Sequence, residues 1–262
     1  MSKIQKYYAV FTLAVIHGLK NYKSLAGLGI FLVTCLVIFS QLWKVVAAKM
    51  GASDLSADGL LWYIAFNEWV FISVPDVQEE LESDLRTGRL AYLLPRPISY
   101  LGTIFCEAMG TLCTNLIFLG LVAFIFTGIF SESFPCSMGV FLFLLGIGFL
   151  AGTVGVIFHM LIGLSAFWLQ DVSPFYWIWE KMLFALGGLM LPLAVYPMWL
   201  QKIAYYTPFP SILGDRSALI MNFTVEGALQ VVGLLLLWGL FGLASLIFVY
   251  RRGLRIVNME GG

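Results

Sequence analysis

Charge is scarce in this chain of 262 residues: Asp, Glu, Lys and Arg make up 11% of it, whereas soluble domains carry about 25%. Fifteen basic and fifteen acidic residues cancel, so no net field attracts a polyanion, and we expect no nucleic-acid partner. Because 60% of the residues are hydrophobic and the mean hydropathy is +0.92, a soluble fold of this size could not bury its apolar surface. The composition therefore predicts an integral membrane protein.

Residues and motifs that carry chemistry are also few. The four cysteines form no CxxC pair, and the two histidines, His17 and His159, are too far apart in the sequence for a metal cluster. The chain contains no GxxxxGK[ST] phosphate loop, no HExxH and no GxSxG. We therefore predict no catalytic residue, no metal ligand and no cofactor on this chain, and we expect that it is not an enzyme.

Six apolar stretches approach the length of about 20 residues that a helix needs to cross a bilayer. They predict an all-α membrane protein with six transmembrane helices, over residues 25–47, 59–74, 100–130, 138–168, 175–197 and 228–250. The chain shows no linker and no internal repeat, so residues 1–262 are expected to form one membrane domain.

The orientation in the membrane follows from the basic residues in the short loops, because Lys and Arg are enriched on the cytoplasmic side. With the N-terminus inside, ten such residues lie inside and four outside. Both termini are therefore expected in the cytoplasm. The inside residues are Lys3, Lys6, Lys20, Lys23, Arg86, Arg89, Arg96, Arg251, Arg252 and Arg255, and the outside residues are Lys44, Lys49, Lys202 and Arg216.

Residues 1–24 are predicted to contain an amphipathic helix, over residues 3–18, in the cytoplasmic membrane interface. Lysines flank this helix, which suits contact with membrane lipids. A membrane anchor is the simplest role for it. Its apolar residues share one stripe at helical spacing and are Ile4, Tyr7, Tyr8, Phe11 and Val15.

Residues 75–96 are predicted to form a cytoplasmic segment between the second and third spans, with a short charged helix at about residues 76–89. Pro75 suits a first helical turn, acidic residues follow it, and Arg86 and Arg89 come last, an order that matches the helix dipole. Gly88 can end the helix. An apolar stripe recurs every four residues and needs cover, so we predict a docking helix for a cytoplasmic partner; a solvated loop is the alternative. The stripe consists of Val77, Leu81 and Leu85.

Three acidic residues lie at or near membrane depth, where ionisable groups are costly and usually face a cavity or the bundle interior. Glu68 and Glu107 each allow a proton relay or a cation site, or a structural hydrogen bond to a neighbouring helix. Glu180 lies next to Lys181, which predicts an ion pair at the interface. His159 is predicted to be a hydrogen-bonded interior histidine rather than a ligand.

Two further features concern packing. Gly148 and Gly152 form a GxxxG motif, which fits close helix packing within the chain as well as dimerisation. Residues 197–226 follow the fifth span on the outside and are apolar but broken by prolines. This outer segment is predicted either to form short helices that dip into the outer leaflet or to lie on the membrane as a loop.

Together, these features resemble those of one known protein family. Residues 84–97 read Asp-Leu-Arg-Thr-Gly-Arg-Leu-Ala-Tyr-Leu-Leu-Pro-Arg-Pro and match the acid-x-Arg-x-Gly-x-Leu…Leu-x-Arg-Pro pattern of type-2 ATP-binding-cassette permeases. Further matches are residues 166–168, the stretch from Gly187 to Pro192 with Pro197 after it, and the basic tail 251–255. The chain resembles the small stand-alone bacterial permeases of this family over nearly its whole length. It departs at residues 214–216, Gly-Asp-Arg, where the family is usually more apolar.

The resemblance implies a permease in the bacterial plasma membrane that exports an amphipathic or lipid-like compound or a drug. It implies two permease copies, identical or similar, bound to two cytoplasmic ATPase subunits that carry ATP and Mg. Glu68 and Glu107 are then candidates for the translocation pathway. The alternatives are a proton-coupled secondary transporter that uses these two carboxylates, a membrane-embedded lipid enzyme and a structural membrane partner. The implied ATPase-coupling residues are Val77, Leu81, Asp84, Leu85, Arg86, Gly88 and Arg89.

Overall fold

A computed structural model describes residues 2–50, 56–95, 98–131 and 134–260, with backbone only at residues 44, 46–50 and 256–260. These residues form helices and turns and no strand, which confirms the all-α prediction for the described part of the chain. Arg96 and Pro97 of the family pattern lie outside the described residues, as do the side chains of Lys44 and Lys49.

Twelve α-helices occur within the described ranges. Two 3₁₀ turns, Ser165–Phe167 and Leu193–Val195, lie between them. The helices are α1 (Lys3–Lys20), α2 (Tyr22–Met50), α3 (Ala57–Ser73), α4 (Val77–Arg86), α5 (Arg89–Leu93), α6 (Tyr100–Phe130), α7 (Met138–Leu164), α8 (Ser173–Leu186), α9 (Met198–Tyr205), α10 (Phe209–Ile212), α11 (Gly214–Ala218) and α12 (Val225–Glu260).

Four of the described helices are long and apolar enough to cross a membrane, as expected of an integral membrane protein. They supply the candidate spans Tyr22–Trp43, Tyr100–Phe130, Met138–Phe167 and Val225–Arg255. By contrast, α3 has 17 residues and α8 has 14, which is less than the usual spanning length of about 20. The structure thus supports four of the six predicted spans by length and composition.

The fifth predicted span, residues 175–197, is not one helix. Its helix α8 ends at Leu186, because Gly188 adopts a left-handed conformation with φ of 69° and prolines follow at 192 and 197. A left-handed residue cannot continue a right-handed helix, and proline lacks the N–H that a helix interior needs. The third predicted span, by contrast, is one continuous helix, because α6 covers Tyr100–Phe130 as predicted. The Ser99 side chain caps its N-terminus.

The centre of the fold is α3, of which twelve residues are buried. It packs against α2, α6, α7 and α11. Its aromatic side chains Trp62, Phe66 and Trp69 contact the rings of Phe124 on α6 and Phe141 on α7, with centroid distances between 5.1 and 6.4 Å. Because α3 is surrounded by other helices, it has an apolar surface on all sides rather than one stripe.

Small residues let the long helices approach α3 and each other closely. Gly148 of α7 lies against Trp69, and Gly152 lies against Leu112 of α6. The Trp69 indole Nε1 donates a 2.8 Å hydrogen bond to the carbonyl of Leu116. Both glycines of the GxxxG motif therefore pack against side chains of the same chain.

The N-terminal helix α1 packs lengthwise on the first half of α6. Tyr7 lies against Gly102, Ala14 against Gly110 and Gly18 against Thr114, so the contacts advance in the same direction and the helices run parallel. Ser2 and Gln5 form a capping box that begins the helix. The predicted helix is confirmed, but Ile4 and Tyr8 of its apolar stripe stay exposed, and its position in the membrane interface stays a prediction.

Candidate functional site

The charged helix predicted between the second and third spans is present as α4. Its first turn carries Glu79 and Glu80, and its last residue, Arg86, donates a 3.0 Å hydrogen bond to Glu82 four residues earlier. Acidic groups at the start and a basic group at the end stabilise a short helix through its dipole. Gly88 adopts a φ of 69°, which ends α4 and lets α5 begin at Arg89.

The apolar stripe of α4 is covered by its own chain, contrary to our prediction. Val77 is buried, Leu81 is 0% exposed and Leu85 is half-buried. The cover comes from α7, where a Cβ placed on Gly163 would lie only 2.8 Å from the Leu81 Cβ. The expectation that the stripe lacks cover was wrong, because a glycine 82 residues away leaves a gap on α7 that the sequence pattern of α4 does not reveal. The docking of a cytoplasmic partner stays a prediction.

Asp84 joins three helices at the α4 end of the molecule. It is 2% exposed and accepts a 3.1 Å hydrogen bond from Arg89 Nη1 and a 3.0 Å hydrogen bond from the hydroxyl of Tyr100. Asp84 thus fixes α5 and the start of α6 to α4 rather than facing outward. The surface that α4 and α5 present to solvent, here called the polar face, consists of Glu79, Ser83, Arg86, Thr87, Arg89 and Tyr92.

Glu107 belongs to the α4 end as well. It is exposed on α6, and a groove of about 460 Å³ between α6 and α1 brings it near His17 and Lys20. Burial and, after it, the negative charges of Glu107 and Asp84 raise the pKa of Glu80 to about 7, against the opposing effect of Arg89. A group of acidic side chains therefore lies beneath the polar face.

Glu68 lies elsewhere, at mid-length of α3, and is 5% exposed. Its neighbours include Cys35 of α2, and among the described residues no hydrogen bond or ion pair to its carboxylate is found. The Trp69 indole is hydrogen-bonded to Leu116, nine residues beyond Glu107 on α6, so Glu68 and Glu107 are about 14 Å apart along the axis of that helix at 1.5 Å per residue. The structure does not bring Glu68 and Glu107 together.

A second polar cluster lies between α7, α8 and the start of α4. The Tyr176 hydroxyl donates a 2.8 Å hydrogen bond to Asp76 Oδ1. His159 is buried with its Nδ1 3.2 Å from the Pro75 carbonyl oxygen, which confirms the predicted interior histidine. Together with Glu180 these side chains line a cavity of about 180 Å³, here called the acidic pocket.

The predicted ion pair between Glu180 and Lys181 is absent from the described residues. Adjacent residues on a helix point about 100° apart, so their side chains do not face each other. Glu180 lines the acidic pocket, whereas the Lys181 ammonium lies 5.3 Å from the centre of the Trp177 ring. This correction leaves Glu180 without a lysine partner.

Away from α4, α11 is fixed to the middle of α3 by buried polar groups, here called the α11 clamp. Arg216 is 0% exposed and donates to the Phe66 carbonyl at 2.7 Å and to the Ile212 carbonyl at 3.1 Å. Ser217 donates a 2.7 Å hydrogen bond to the Asn67 side chain. Arg216 is therefore not an outer-loop charge, as we had counted it, but part of the core.

Asn67 and Tyr63 extend the clamp to the break after α8. Asn67 Nδ2 donates to the carbonyls of Gly188 and Leu189 at 3.2 and 3.0 Å, and the Tyr63 hydroxyl also donates to Gly188. We did not identify these residues from the sequence, although the spacing of Tyr63 and Asn67, four apart in an apolar stretch, was an available signal. The outer segment, 197–226, contains the short helices α9, α10 and α11 that one of the two alternatives predicted.

The arrangement offers two kinds of chemistry. The polar face can make hydrogen bonds and ion pairs with another protein, and the acidic pocket can hold a cation. No three His, Cys, Asp or Glu side chains among the described residues are placed to hold a metal ion. No family model matches this chain, and no curated protein is similar to it at a significant level.

Proposed function

We propose that this chain is the permease subunit of an ATP-binding-cassette exporter, driven by ATPase subunits on separate chains. One observation carries the proposal: α4 and α5 present a polar face while their other side is firmly attached to the helices of the bundle. A helix pair between apolar helices has no need of six exposed polar residues for its own folding. A polar, well-anchored surface is what a soluble partner requires in order to exert force on a membrane domain.

The attachment of α4 would convert movement of a partner into movement of the spans. Leu81 is wedged against Gly163 of α7, and Asp84 is hydrogen-bonded to Tyr100 at the start of α6. Because such interiors are close-packed, α4 cannot move far without displacing both helices. In this mechanism Glu79, Ser83 and Arg86 contact the ATPase, with Arg89 beside them. Leu81 and Asp84 transmit the displacement, Val77 and Leu85 support them, and Gly88 sets the turn.

The remaining parts of the proposal concern topology and assembly. Two short helices, α3 and α8, would complete six spans, with both termini in the cytoplasm of a bacterium and the chain in its plasma membrane. A second permease copy would complete the translocation path. Exposed apolar side chains on α8, outside the candidate spans, support contact with such a copy or with lipid; they are Phe175, Trp177, Ile178, Met182 and Phe184.

A proton-coupled secondary transporter is the second candidate, and one observation favours it. The carboxylate of Glu68 is buried without a partner among the described groups, and such residues in membrane proteins are often functional. Glu107 is exposed about 14 Å away along α6, so a direct relay between the two is not supported. If transport survives Glu68→Gln and ceases when ATP is depleted with the proton gradient intact, this candidate is excluded.

Affinity purification in a mild detergent tests the permease proposal. We expect the wild-type chain to retain a protein that has a phosphate loop and hydrolyses ATP. Arg86→Glu should reduce the retained ATPase about tenfold or more, because the charge of the polar face is reversed. Arg86 is exposed but its partner Glu82 is mostly buried, so the free energy of unfolding of Arg86→Glu is measured alongside to separate loss of binding from loss of folding.

The matched control is Lys202→Glu, the same kind of charge reversal at an exposed site on α9. It should retain the ATPase fully. A change of Leu81 to Asp is a poorer test, because this side chain is buried and its replacement would damage the fold. Retention of the ATPase by Arg86→Glu at the wild-type level would contradict the coupling role of the polar face, and purification of the wild-type chain alone would contradict the permease proposal.

A further inference from the structure

The acidic pocket has a polar end and an apolar end. Asp76, Tyr176 and Glu180 lie toward α4, while Leu183, one turn further along α8, and Leu213 lie at the other end. The cavity has a volume of about 180 Å³, smaller than the 300–1,000 Å³ or so of a drug-sized site. It therefore has room for a small amphipathic molecule or for the polar end of a larger one.

The pocket offers mainly hydrogen-bond acceptors, with one donor in its lining, the buried indole Nε1 of Trp179, that is unpaired among the described residues. Asp76 uses Oδ1 to accept bonds from Tyr176 and Gln78, which leaves Oδ2 available. The Tyr176 hydroxyl interacts with the Glu180 carboxylate as well, so both carboxylates lie close to it. No lysine or arginine is among the described residues that line the pocket, so this negative charge is not neutralised from within it.

His159 adds a third acceptor. The Pro75 carbonyl can only accept a hydrogen bond, so the 3.2 Å contact assigns the proton of the neutral ring to Nδ1. The other nitrogen, Nε2, then carries a lone pair, and no hydrogen bond to it is found in the described part of the chain. His159 is 5% exposed, and its ring centre lies 5.1 Å from that of Tyr176. This nitrogen is therefore available to accept a hydrogen bond from a ligand N–H.

We propose that the acidic pocket binds the primary ammonium end of an amphipathic amine. A primary ammonium has three N–H donors and one positive charge, which match Asp76, Glu180 and the free nitrogen of His159. The rings of Tyr176 and Trp179 line the same cavity and favour a cation. The apolar part of the ligand would lie against Leu183 and Leu213. That the pocket is part of a transport path rests on the proposed function, whereas the ligand class rests on the pocket itself.

Equilibrium dialysis of the purified chain against labelled 2-phenylethylammonium tests this proposal without an ATPase. Two analogues of similar shape serve as references: neutral 2-phenylethanol and anionic phenylacetate. We expect saturable binding of the ammonium compound and binding at least about tenfold weaker for both analogues, after subtraction of uptake by empty detergent micelles. Equal binding of the alcohol and the amine, or no saturable binding of the amine, would overturn the proposal.

Three variants locate the binding site. Glu180→Gln should weaken ammonium binding about tenfold, and adding Asp76→Asn should abolish it. Tyr176→Phe removes the hydroxyl but keeps the ring and both carboxylates, so binding should largely remain and would show that the pocket stays folded. Glu226→Gln, an exposed carboxylate on α12, is the matched control and should bind as the wild type does. Wild-type affinity in the Glu180→Gln variant would overturn the assignment to this pocket.

A nanodisc titration separates the two sources of such an ammonium group, a free amine and an ethanolamine lipid headgroup. If binding of 2-phenylethylammonium is weaker in phosphatidylethanolamine than in phosphatidylglycerol discs, and Glu180→Gln removes that difference, the lipid headgroup occupies the pocket. If Glu180→Gln weakens binding equally in both, the ligand is a free amine. If the chain binds the amine but retains no ATPase, the amine site is supported and the permease proposal is contradicted. If the chain retains an ATPase but does not bind the amine, only the amine site is contradicted.

Discussion

The segments α4 and α11 are attached to the helix bundle by different physics. The attachment of α4 to α7 is largely apolar, through Leu81 and Gly163, and the buried carboxylate Asp84 of α4 pairs with Arg89, which is mostly exposed. The α11 clamp, which joins α11 to the middle of α3, is made of buried polar groups, of which Arg216 is 0% exposed. One attachment leaves charged groups at the surface, and the other withdraws them from it.

This difference separates function from stability. In a buried hydrogen-bond network, all donors and acceptors are paired in only one arrangement, and removal of any member leaves other polar groups without partners. The polar face near α4 makes few bonds within the chain, so its substitution costs the fold little while changing what can bind. We therefore expect substitutions in the α11 clamp to lower the free energy of unfolding, and substitutions on the polar face to alter partner binding.

The largest effect is expected for Arg216→Ala. This change removes the donors to the carbonyls of Phe66 and Ile212 inside the core. Hydrogen bonds to charged groups contribute about 1.5–3 kcal/mol each, so the free energy of unfolding should fall by about 3–5 kcal/mol. Unfolding by SDS in mixed micelles would measure it. Arg216→Lys keeps the charge but offers fewer directed donors, so we expect an intermediate loss of stability. Wild-type stability of Arg216→Ala would contradict the difference between the α11 clamp and the attachment of α4.

Gly163→Ala should act on both stability and coupling. The added methyl group would lie 2.8 Å from the Leu81 Cβ and 2.9 Å from the Gln78 Cα, so α4 must shift away from α7. Overpacking of this kind costs about 1–3 kcal/mol. The shift would also displace the polar face, and the retained ATPase should fall with it.

Gly146→Ala is the control for this change, because it lies on the same helix with nothing within 4 Å of the added methyl group. It should be neutral or slightly stabilising, since alanine favours a helix over glycine by about 1 kcal/mol. Equal behaviour of the two alanine variants in unfolding and in ATPase retention would contradict the wedge between Leu81 and Gly163.

The sequence predicts α4 better than it predicts the α11 clamp, because α4 has local sequence signals and the clamp depends on contacts between distant residues. The charges, prolines and glycine of α4 are local signals, so its existence and its end at Gly88 are confirmed. The α11 clamp joins residues 150 positions apart, and Arg216 bonds backbone carbonyls, which every residue has. No pattern of side chains could therefore identify its partners. The same holds for the cover of Leu81, which depends on a missing side chain at Gly163.

The smallest effect is a pH dependence at the α4 end. Glu80 has a pKa of about 7 against an ordinary value of 4.5, because burial, Glu107 and Asp84 disfavour its charge more than Arg89 favours it. A carboxyl whose pKa is raised by folding holds its proton more tightly in the folded state. The free energy of unfolding should therefore fall as the pH rises from about 4.5 to about 7 and then level off.

Glu80→Gln should remove this part of the pH dependence, because the amide does not titrate. Glu80 is only partly buried, so water weakens the interaction and the difference between pH 5 and pH 8 should be at most about 1 kcal/mol. Unfolding curves of the wild type and of Glu80→Gln at both pH values measure it, with the exposed Glu226→Gln as control. If both variants follow the wild-type dependence, the acidic side chains beneath the polar face do not interact, and the α4 end is then held by its apolar contact and Asp84 alone.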